Sequence, residues 1–336
     1  MNPIVVAAVL AFGAPQPSLM HLPKNYICYR ATSPMVIDGR LNEDAWRDAP
    51  WTDDFVDIEG DVKPKPTFRT RARMLWDDHY LYIGAQLEEP HVWATLTEHD
   101  CVIYHDNDFE VFIDPDGDNH NYYEIELNAF GTEWDLRLPI PYRDGGNALN
   151  SWEIPGLKLA THIDGTINDP SDIDRGWSVE LAIPWNVLGE YANRPAPPRD
   201  GDQWRINFSR VEWEIDIVDG QYKKVPNVPE HNWVWSPQGV IDMHQPERWG
   251  FLQFSTQPPG QADYRLDPSW AVQDWLMQAY HAQIAYRDRT GRYAASLDAL
   301  ALPPVPKMVA GVPVLKAVGA GWEIQVDCHV HHHVEH

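Results

Sequence analysis

The chain has 336 residues, with 26 lysines and arginines against 50 aspartates and glutamates, a formal net charge of −24. This charge argues against nucleic acid and against an anionic membrane surface as partners, because both need clustered basic side chains. Hydrophobic residues make up 43% of the chain, which suffices for an ordinary core. Neutral polymers and metal cations remain as partners, and the sequence leaves the oligomeric state open.

The N-terminus resembles an export signal. Residues 4–12 form an apolar run of signal-peptide length, and small residues follow at 11–14. The run is too short to span a bilayer, so we expect no membrane insertion. We predict a signal peptide and leader over residues 1–25 and an extracellular or periplasmic location.

Residues 26–254 read as short strands separated by turns. Residues 71–76 alternate in polarity, Asp77 and Asp78 make a turn, and residues 80–85 return, which predicts a hairpin. Further strands with turn signals and few helices indicate an all-β fold, an antiparallel immunoglobulin-like or jelly-roll β-sandwich. The 16 tryptophans either fill its core or form exposed stacking platforms.

The chain changes character after residue 254. Residues 255–268 form a Pro/Gly-rich linker, and residues 269–336 read as a helix plus a β-hairpin, a small α+β appendage. A helix to about Asp288 is predicted by apolar residues repeating at i+4, namely Val272, Leu276, Tyr280 and Ile284. We interpret the histidine-rich end as a tail rather than as a metal site. Its histidines are His329, His331, His332, His333 and His336.

Six short motifs follow one another along about 225 residues of the chain. They are the Ile-Asp-Gly turn at 37–39 with Ala-Trp at 45–46, the Trp-Asp-x-x-Tyr-Leu-Tyr hairpin at 76–82, the acidic strand at 106–114, the strand at 176–185, Arg-Ile-Asn-Phe at 205–208, and Arg-Trp-Gly-Phe-Leu at 248–252. In combination they resemble the family 9 carbohydrate-binding modules and their relatives. The C-terminal appendage lies outside the resemblance.

The resemblance implies a sandwich that binds a poly- or oligosaccharide without catalysis, in the context of polysaccharide utilisation. The founding type holds a sugar end between two tryptophans. The first of these falls on Tyr104, and the second falls near Met243, with Trp233 or Trp235 as the replacement from the preceding loop. Glu110 and Asn128 match the family's polar residues, whereas Glu126 stands where an arginine is expected.

Polar residues share strand faces by parity. Tyr122, Glu124, Glu126 and Asn128 lie on one face of a strand, and Arg205 and Asn207 share a face of another. Each set is either a solvated sheet face or the polar floor of a sugar site. We predict a sugar-binding set of Tyr104, Glu110, Glu126, Asn128, Arg205, Asn207, Trp233 and Trp235.

Two alternatives stay open. Asp106, Asp108 and Glu110 share one parity, so they could act as the acid and base of a glycoside hydrolase. Relatives of this sandwich bind haem b through methionine with histidine or lysine, and Met243 and His244 lie near the aligned ligand pocket. We expect no catalytic residues, because no hydrolase or dinucleotide motif is present.

The acidic loop after the strand at 108–114 is a predicted calcium site. Asp114, Asp116 and Asp118 offer hard oxygen ligands at alternating positions, and Gly117 permits a sharp turn. An ordinary polar hairpin loop is the other interpretation.

Overall fold

The computed structural model describes residues 22–319 and 321–328. Most of the predicted leader and the histidine-rich tail lie outside the described residues. The described chain divides into two compact units, Pro23–Arg265 and the residues from Leu266 onwards.

The first unit consists mainly of strands, joined by long loops. Its strands are β1 (Asn25–Arg30), β2 (Val56–Asp57), β3 (Thr70–Trp76), β4 (Tyr80–Glu88), β5 (Asp108–Asp114), β6 (Tyr122–Asn128), β7 (Glu133–Leu138), β8 (Lys158–Asp164), β9 (Gly176–Pro184), β10 (Gln203–Glu212), β11 (Ile215–Val218), β12 (Gln221–Lys224), β13 (His231–Val234) and β14 (Gly250–Ser255). Two short helices accompany them, α1 (Asp44–Asp48) and α2 (Trp185–Leu188).

One sheet runs in the order β7-β6-β5-β10-β14-β1-β3-β4-β9-β8, and β13 branches from β10 to pair with β2. The predicted hairpin is present as the antiparallel pair β3 and β4. Side chains from β5, β6 and β10 share one apolar cluster with those from β3, β4 and β9, so the sheet curls into a sandwich around a single core. The all-β prediction is confirmed, with one difference: β1 is parallel to both of its neighbours.

Tryptophans fill the middle of this core. Trp76, Trp185 and Trp204 each meet Phe254 edge to face, with ring centroids 5.4–5.8 Å apart. Such arrangements match the positive edge of one ring to the negative face of the next. For these residues the tryptophan content reflects packing rather than ligand contact.

The Ile-Asp-Gly and Ala-Trp motifs meet at one buried carboxylate. Glu180 accepts hydrogen bonds from the backbone N–H groups of Asp38 and Gly39 and, at 2.8 Å, from Nε1 of Trp46. Gly39 has φ +84°, and a Cβ there would lie 2.5 Å from the carbonyl carbon of Thr161. This opening motif is therefore structural, because its backbone and its tryptophan hydrogen-bond to Glu180 on β9.

The second unit contains helix α3 (Trp270–Thr290) and the hairpin β15 (Val309–Val318) and β16 (Gly321–Cys328). The predicted buried stripe of α3 is wrong beyond Val272. The other residues that are buried are Trp275, Ala279 and Gln283. Gln283 occupies this face because its amide bonds both the N–H and the carbonyl of Ala294. Among the described residues, no helix has the length and hydrophobicity that crossing a membrane requires.

Candidate functional site

The site is built on the face of β5, β6, β7 and β10 that points away from the core. Alternation along β5 sends Phe109, Val111 and Ile113 into the core and leaves Glu110 on the other face. Glu110 lies directly opposite Glu126 on β6. Loops cover this face, so the carboxylates are buried rather than solvated, which favours the floor interpretation over the exposed sheet face.

An open cleft of about 420 Å³ lies above this floor. Its lining combines acidic, aromatic and apolar side chains. These residues are Val102, Tyr104, Glu110, Phe112, Glu124, Glu126, Trp134, Leu136, Tyr142, Val211, Glu230, Asn232, Met243 and His244. A volume of this size, with a few convergent polar groups, is typical of small-ligand sites.

Tyr104, one of the predicted sugar-binding residues, forms one wall of the cleft. It lies in a single 3₁₀ turn, and 38% of the residue is exposed. Its backbone N–H donates to Oε2 of Glu126 at 3.0 Å, and its carbonyl accepts from Nε1 of Trp213 at 2.9 Å. The ring is therefore presented to solvent from a backbone held on both sides.

Tyr142 is a second exposed aromatic residue of the lining, and sequence reasoning missed it. It lies in another 3₁₀ turn and is 45% exposed. Its ring meets His244 edge to face at 4.5 Å, and the adjacent Arg143 is bonded to Glu247 at 2.9 Å. The loop sequence around Tyr142 carries no signal for this position, because only the folded chain brings it over β6.

The floor concentrates buried carboxyl groups in a small volume. Carboxylate oxygens of Asp108, Glu110 and Glu126 lie within 4.8 Å of one another. Burial raises the pKa of Glu110 to about 7. Burial, and then the charge of Glu110, raises the pKa of Asp108, Glu124 and Glu126 well above the ordinary range.

Two other residues of the cleft lining, Tyr142 and His244, also have shifted pKa values. Burial first, and then the charges of Glu124 and Glu126, raises the pKa of Tyr142 to about 12. Burial lowers the pKa of His244 to about 4, so its imidazole is neutral at pH 7. Nδ1 of His244 lies 3.0 Å from the hydroxyl of Tyr122. The cleft thus offers carboxyl, amide and phenol groups for hydrogen bonds and two partly exposed rings for stacking.

Asp106 and Asn128 serve the fold rather than the cleft. Asp106 accepts hydrogen bonds from the N–H groups of Thr95 and Leu96, from the Thr95 hydroxyl and from Nδ2 of Asn128. The same Asn128 amide donates to the carbonyl of Leu96, and its oxygen accepts from Phe130 and Thr132. Asn128 is 0% exposed. The sequence-based assignment of Asn128 to the sugar site is therefore replaced by a structural role.

Arg205 and Asn207 share the sheet face with the acids but do not line the cleft. Arg205 donates to the carbonyl of Trp249 at 2.8 Å, and its guanidinium lies 3.8 Å from the ring centroid of Phe251. Asn207 exchanges hydrogen bonds of 2.8 and 2.9 Å with the backbone of Ser236. Alternation along β10 places both residues on the sheet face that carries the acids, but their side chains bind neighbouring backbone.

Trp233 and Trp235 are also absent from the cleft. They are 3% and 1% exposed and belong to the main apolar core. Trp233 pairs with Arg210 on β10 and so points to the opposite side of the sheet from Val211. Their burial leaves no ring face for a ligand, so their positions do not support the stacking prediction.

The acidic loop brings its three aspartates together. Carboxylate oxygens of Asp114, Asp116 and Asp118 lie within 4.8 Å of one another. Asp114 accepts the N–H groups of Gly117 and Asn119, each at 2.9 Å, and burial raises its pKa to about 8. These carboxylate oxygens are hard donors of the kind that calcium prefers. Asp116 and Asp118 are more exposed than Asp114, so they would bind an ion from the solvent side.

The positions of Met243 and His244 do not favour the haem-binding alternative. Met243 and His244 both line the cleft, but they are consecutive in sequence. Two axial ligands must approach a haem iron from opposite faces of its plane. The remainder of the lining is acidic, aromatic or aliphatic apart from Asn232.

Together, the curled sandwich and the aromatic-walled cleft define a ligand-binding β-sandwich module. Residues 37–199 match the family described as "Carbohydrate family 9 binding domain-like". This match confirms, for residues 37–199, the resemblance to family 9 carbohydrate-binding modules that the motifs predicted.

Two curated relatives and one solved structure are similar to this chain. The chain is 28% identical over 153 residues to "Exoglucanase XynX" from Acetivibrio thermocellus, a stretch that covers 46% of this chain and 12% of that protein. It is also 28% identical over 153 residues to "Endo-1,4-beta-xylanase A" from Thermoanaerobacterium saccharolyticum, covering 46% and 11%. Only about a tenth of each enzyme's length is matched. A family 9 carbohydrate-binding module from Caldicellulosiruptor kristjanssonii, solved with cellotriose, is similar at 15% identity and TM-score 0.46, covering 73% of this chain and all of that one.

Proposed function

We propose that this protein binds a poly- or oligosaccharide in its cleft and does not cleave it. The observation that carries this proposal is the pair of exposed tyrosines, Tyr104 and Tyr142, at a cleft floored by hydrogen-bonding carboxyls. The axial C–H face of a pyranose is apolar and suits an aromatic ring, whereas its hydroxyls need polar partners. The two relatives named above are a glucanase and a xylanase by name, which supports a role in polysaccharide utilisation and an extracellular or periplasmic location.

Titration calorimetry of the full chain tests this function. The ligand panel consists of soluble glucans and xylans together with cello- and xylo-oligosaccharides. We expect saturable binding that the double variant Tyr104→Ala/Tyr142→Ala loses, with its fold verified by circular dichroism. Absence of binding across the panel would refute the proposal, and release of reducing sugar by the pure protein would show the glycoside hydrolase alternative to be correct.

We further propose that Asp114, Asp116 and Asp118 hold a calcium ion that stabilises the loop between β5 and β6. Three carboxylates held within 4.8 Å repel one another, and a bound cation removes that repulsion. Asn193 donates to Oδ2 of Asp116 at 2.7 Å and so orients one of the ligands.

A further inference from the structure

The cleft lining is rich in carboxyl groups. Glu110, Glu124, Glu126 and Glu230 belong to it, and among the described residues no lysine or arginine lines it. A bound cation would favour the ionised form of these carboxyls. The basic member, His244, has a pKa lowered to about 4 by burial. A neutral sugar would bring only weak dipoles to such a floor, whereas a cation would meet several carboxylates at once.

One buried polar group of the cleft lining has no partner among the described residues. Trp134, which is 9% exposed and lines the cleft, has an indole N–H with no acceptor. An unpartnered buried polar group is costly, so this N–H at an open cleft indicates that a bound ligand supplies its partner.

The basic side chains near the cleft are already engaged. Arg143 is bonded to Glu247 at 2.9 Å and to the carbonyl of His244 at 3.2 Å. The ammonium of Lys224 lies 3.6 Å from the ring centroid of Trp213 and so stacks outside the lining. Neither is positioned to neutralise the acidic floor formed by Glu110, Glu124 and Glu126.

The walls of the cleft distinguish between two kinds of cation. A bare divalent ion needs oxygen ligands and gains nothing from the rings of Tyr104 and Tyr142. A sugar that carries an ammonium group uses both features, because its ring stacks on a tyrosine and its three N–H donors reach the carboxylates. An ammonium group near a phenol ring also gains cation–π attraction.

We propose that the preferred ligand of the cleft is a cationic amino sugar, of the class of glucosamine units with free amino groups, bound with its ammonium over Glu110, Glu124 and Glu126. This proposal rests on the carbohydrate-binding function proposed above and names its substrate class. Acetylation of the amino group removes the positive charge while the sugar ring is kept, so the two forms of one oligosaccharide isolate the electrostatic contribution.

The test compares three trisaccharides by calorimetry at pH 6.5. They are the trimer of β-1,4-linked glucosamine, its fully N-acetylated form, and cellotriose. We expect the amino trimer to bind about tenfold more tightly than the acetylated trimer, since charged hydrogen bonds are stronger than neutral ones. Glu124→Gln should reduce this ratio several-fold, whereas Glu98→Gln, at an exposed position outside the lining, should leave it unchanged.

The outcomes separate the two proposals. Equal or tighter binding of the acetylated trimer or of cellotriose would overturn the amino-sugar inference and keep the carbohydrate-binding function. Absence of binding for every saccharide would overturn both. Binding of calcium or zinc alone that requires Glu124, together with no preference for the amino trimer, would assign the floor to a metal and overturn the inference.

Discussion

Glu126 accepts a hydrogen bond from the backbone N–H of Tyr104 at 3.0 Å, so a carboxylate of the cleft floor positions one of the cleft walls. Tyr104 lies in the turn before β5 and Glu126 lies on β6, so this hydrogen bond joins two separate elements of the chain. Stacking by Tyr104 and polar contacts on the floor are therefore coupled rather than independent.

Replacing Glu126 tests this coupling. Glu126→Gln keeps an acceptor for the N–H of Tyr104, whereas Glu126→Ala leaves that donor without its partner at a cost of about 1–3 kcal/mol. We expect hydrogen exchange at residues 103–105 to accelerate in Glu126→Ala much more than in Glu126→Gln. Similar exchange in the two variants would mean that the Trp213 contact alone holds the turn.

The aromatic walls should carry much of the binding free energy. Tyr104→Ala and Tyr142→Ala are each expected to weaken binding of the best saccharide by about 1–3 kcal/mol, as central aromatic contacts do. Tyr104→Phe and Tyr142→Phe retain the ring and should bind nearly as the natural chain does. Calorimetry with all four variants measures this, and unchanged affinity in both alanine variants would place the site elsewhere.

Trp235 should matter for stability and not for ligand affinity. Its ring fills the core, and a Cβ at Gly250 would lie 2.4 Å from that ring, so the packing is tight. Trp235→Phe should lower the free energy of unfolding by about 1–3 kcal/mol. Denaturant titration measures this loss, and the dissociation constant should stay within about twofold. A larger loss of affinity than of stability would restore Trp235 as a ligand contact.

The buried carboxyls predict that stability decreases as pH rises. Burial raises the pKa of Glu110 to about 7, above roughly 4.3 in an unfolded chain. Between these values Glu110 binds more protons in the folded protein than in the unfolded chain, so its contribution makes the free energy of unfolding fall with pH and levels off above about pH 7. Glu110 alone contributes a decrease on the order of 3 kcal/mol.

Glu110→Gln should flatten this part of the profile, because glutamine does not ionise. Denaturant titrations at pH 5 and pH 8 compare the variant with the natural chain, and Glu98→Gln serves as the exposed control. If Glu110→Gln lost as much stability across this range as the natural chain, the carboxyl of Glu110 would not be protonated in the fold.

Calcium should raise the melting temperature through the acidic loop. A ligand that binds only the folded state stabilises it by mass action, so added calcium should raise the midpoint and a chelator should lower it. The double variant Asp116→Asn/Asp118→Asn should lose this response, and Asp216→Asn, at an exposed site on β11, should retain it. Scanning fluorimetry after removal of bound metal measures both, and an unresponsive natural chain would exclude the site.

The order of motifs along the sequence was sufficient to predict the sandwich and the hairpin of β3 and β4. Period-two alternation also placed Glu124 and Glu126 on one face of their strand and Arg205 and Asn207 on one face of theirs, since side chains on a strand alternate strictly. These properties depend on local spacing, and the sequence by itself determined them.

Only the tertiary structure decided which of those residues face the ligand. Parity cannot tell which face loops cover, so Trp233 and Trp235 were predicted as platforms although the curl of the sheet buries them. It also cannot show that the side chains of Arg205 and Asn207 bond neighbouring backbone. Tyr142 joins the cleft through a loop whose position depends on contacts with His244 and Glu247, residues about a hundred positions further along the chain.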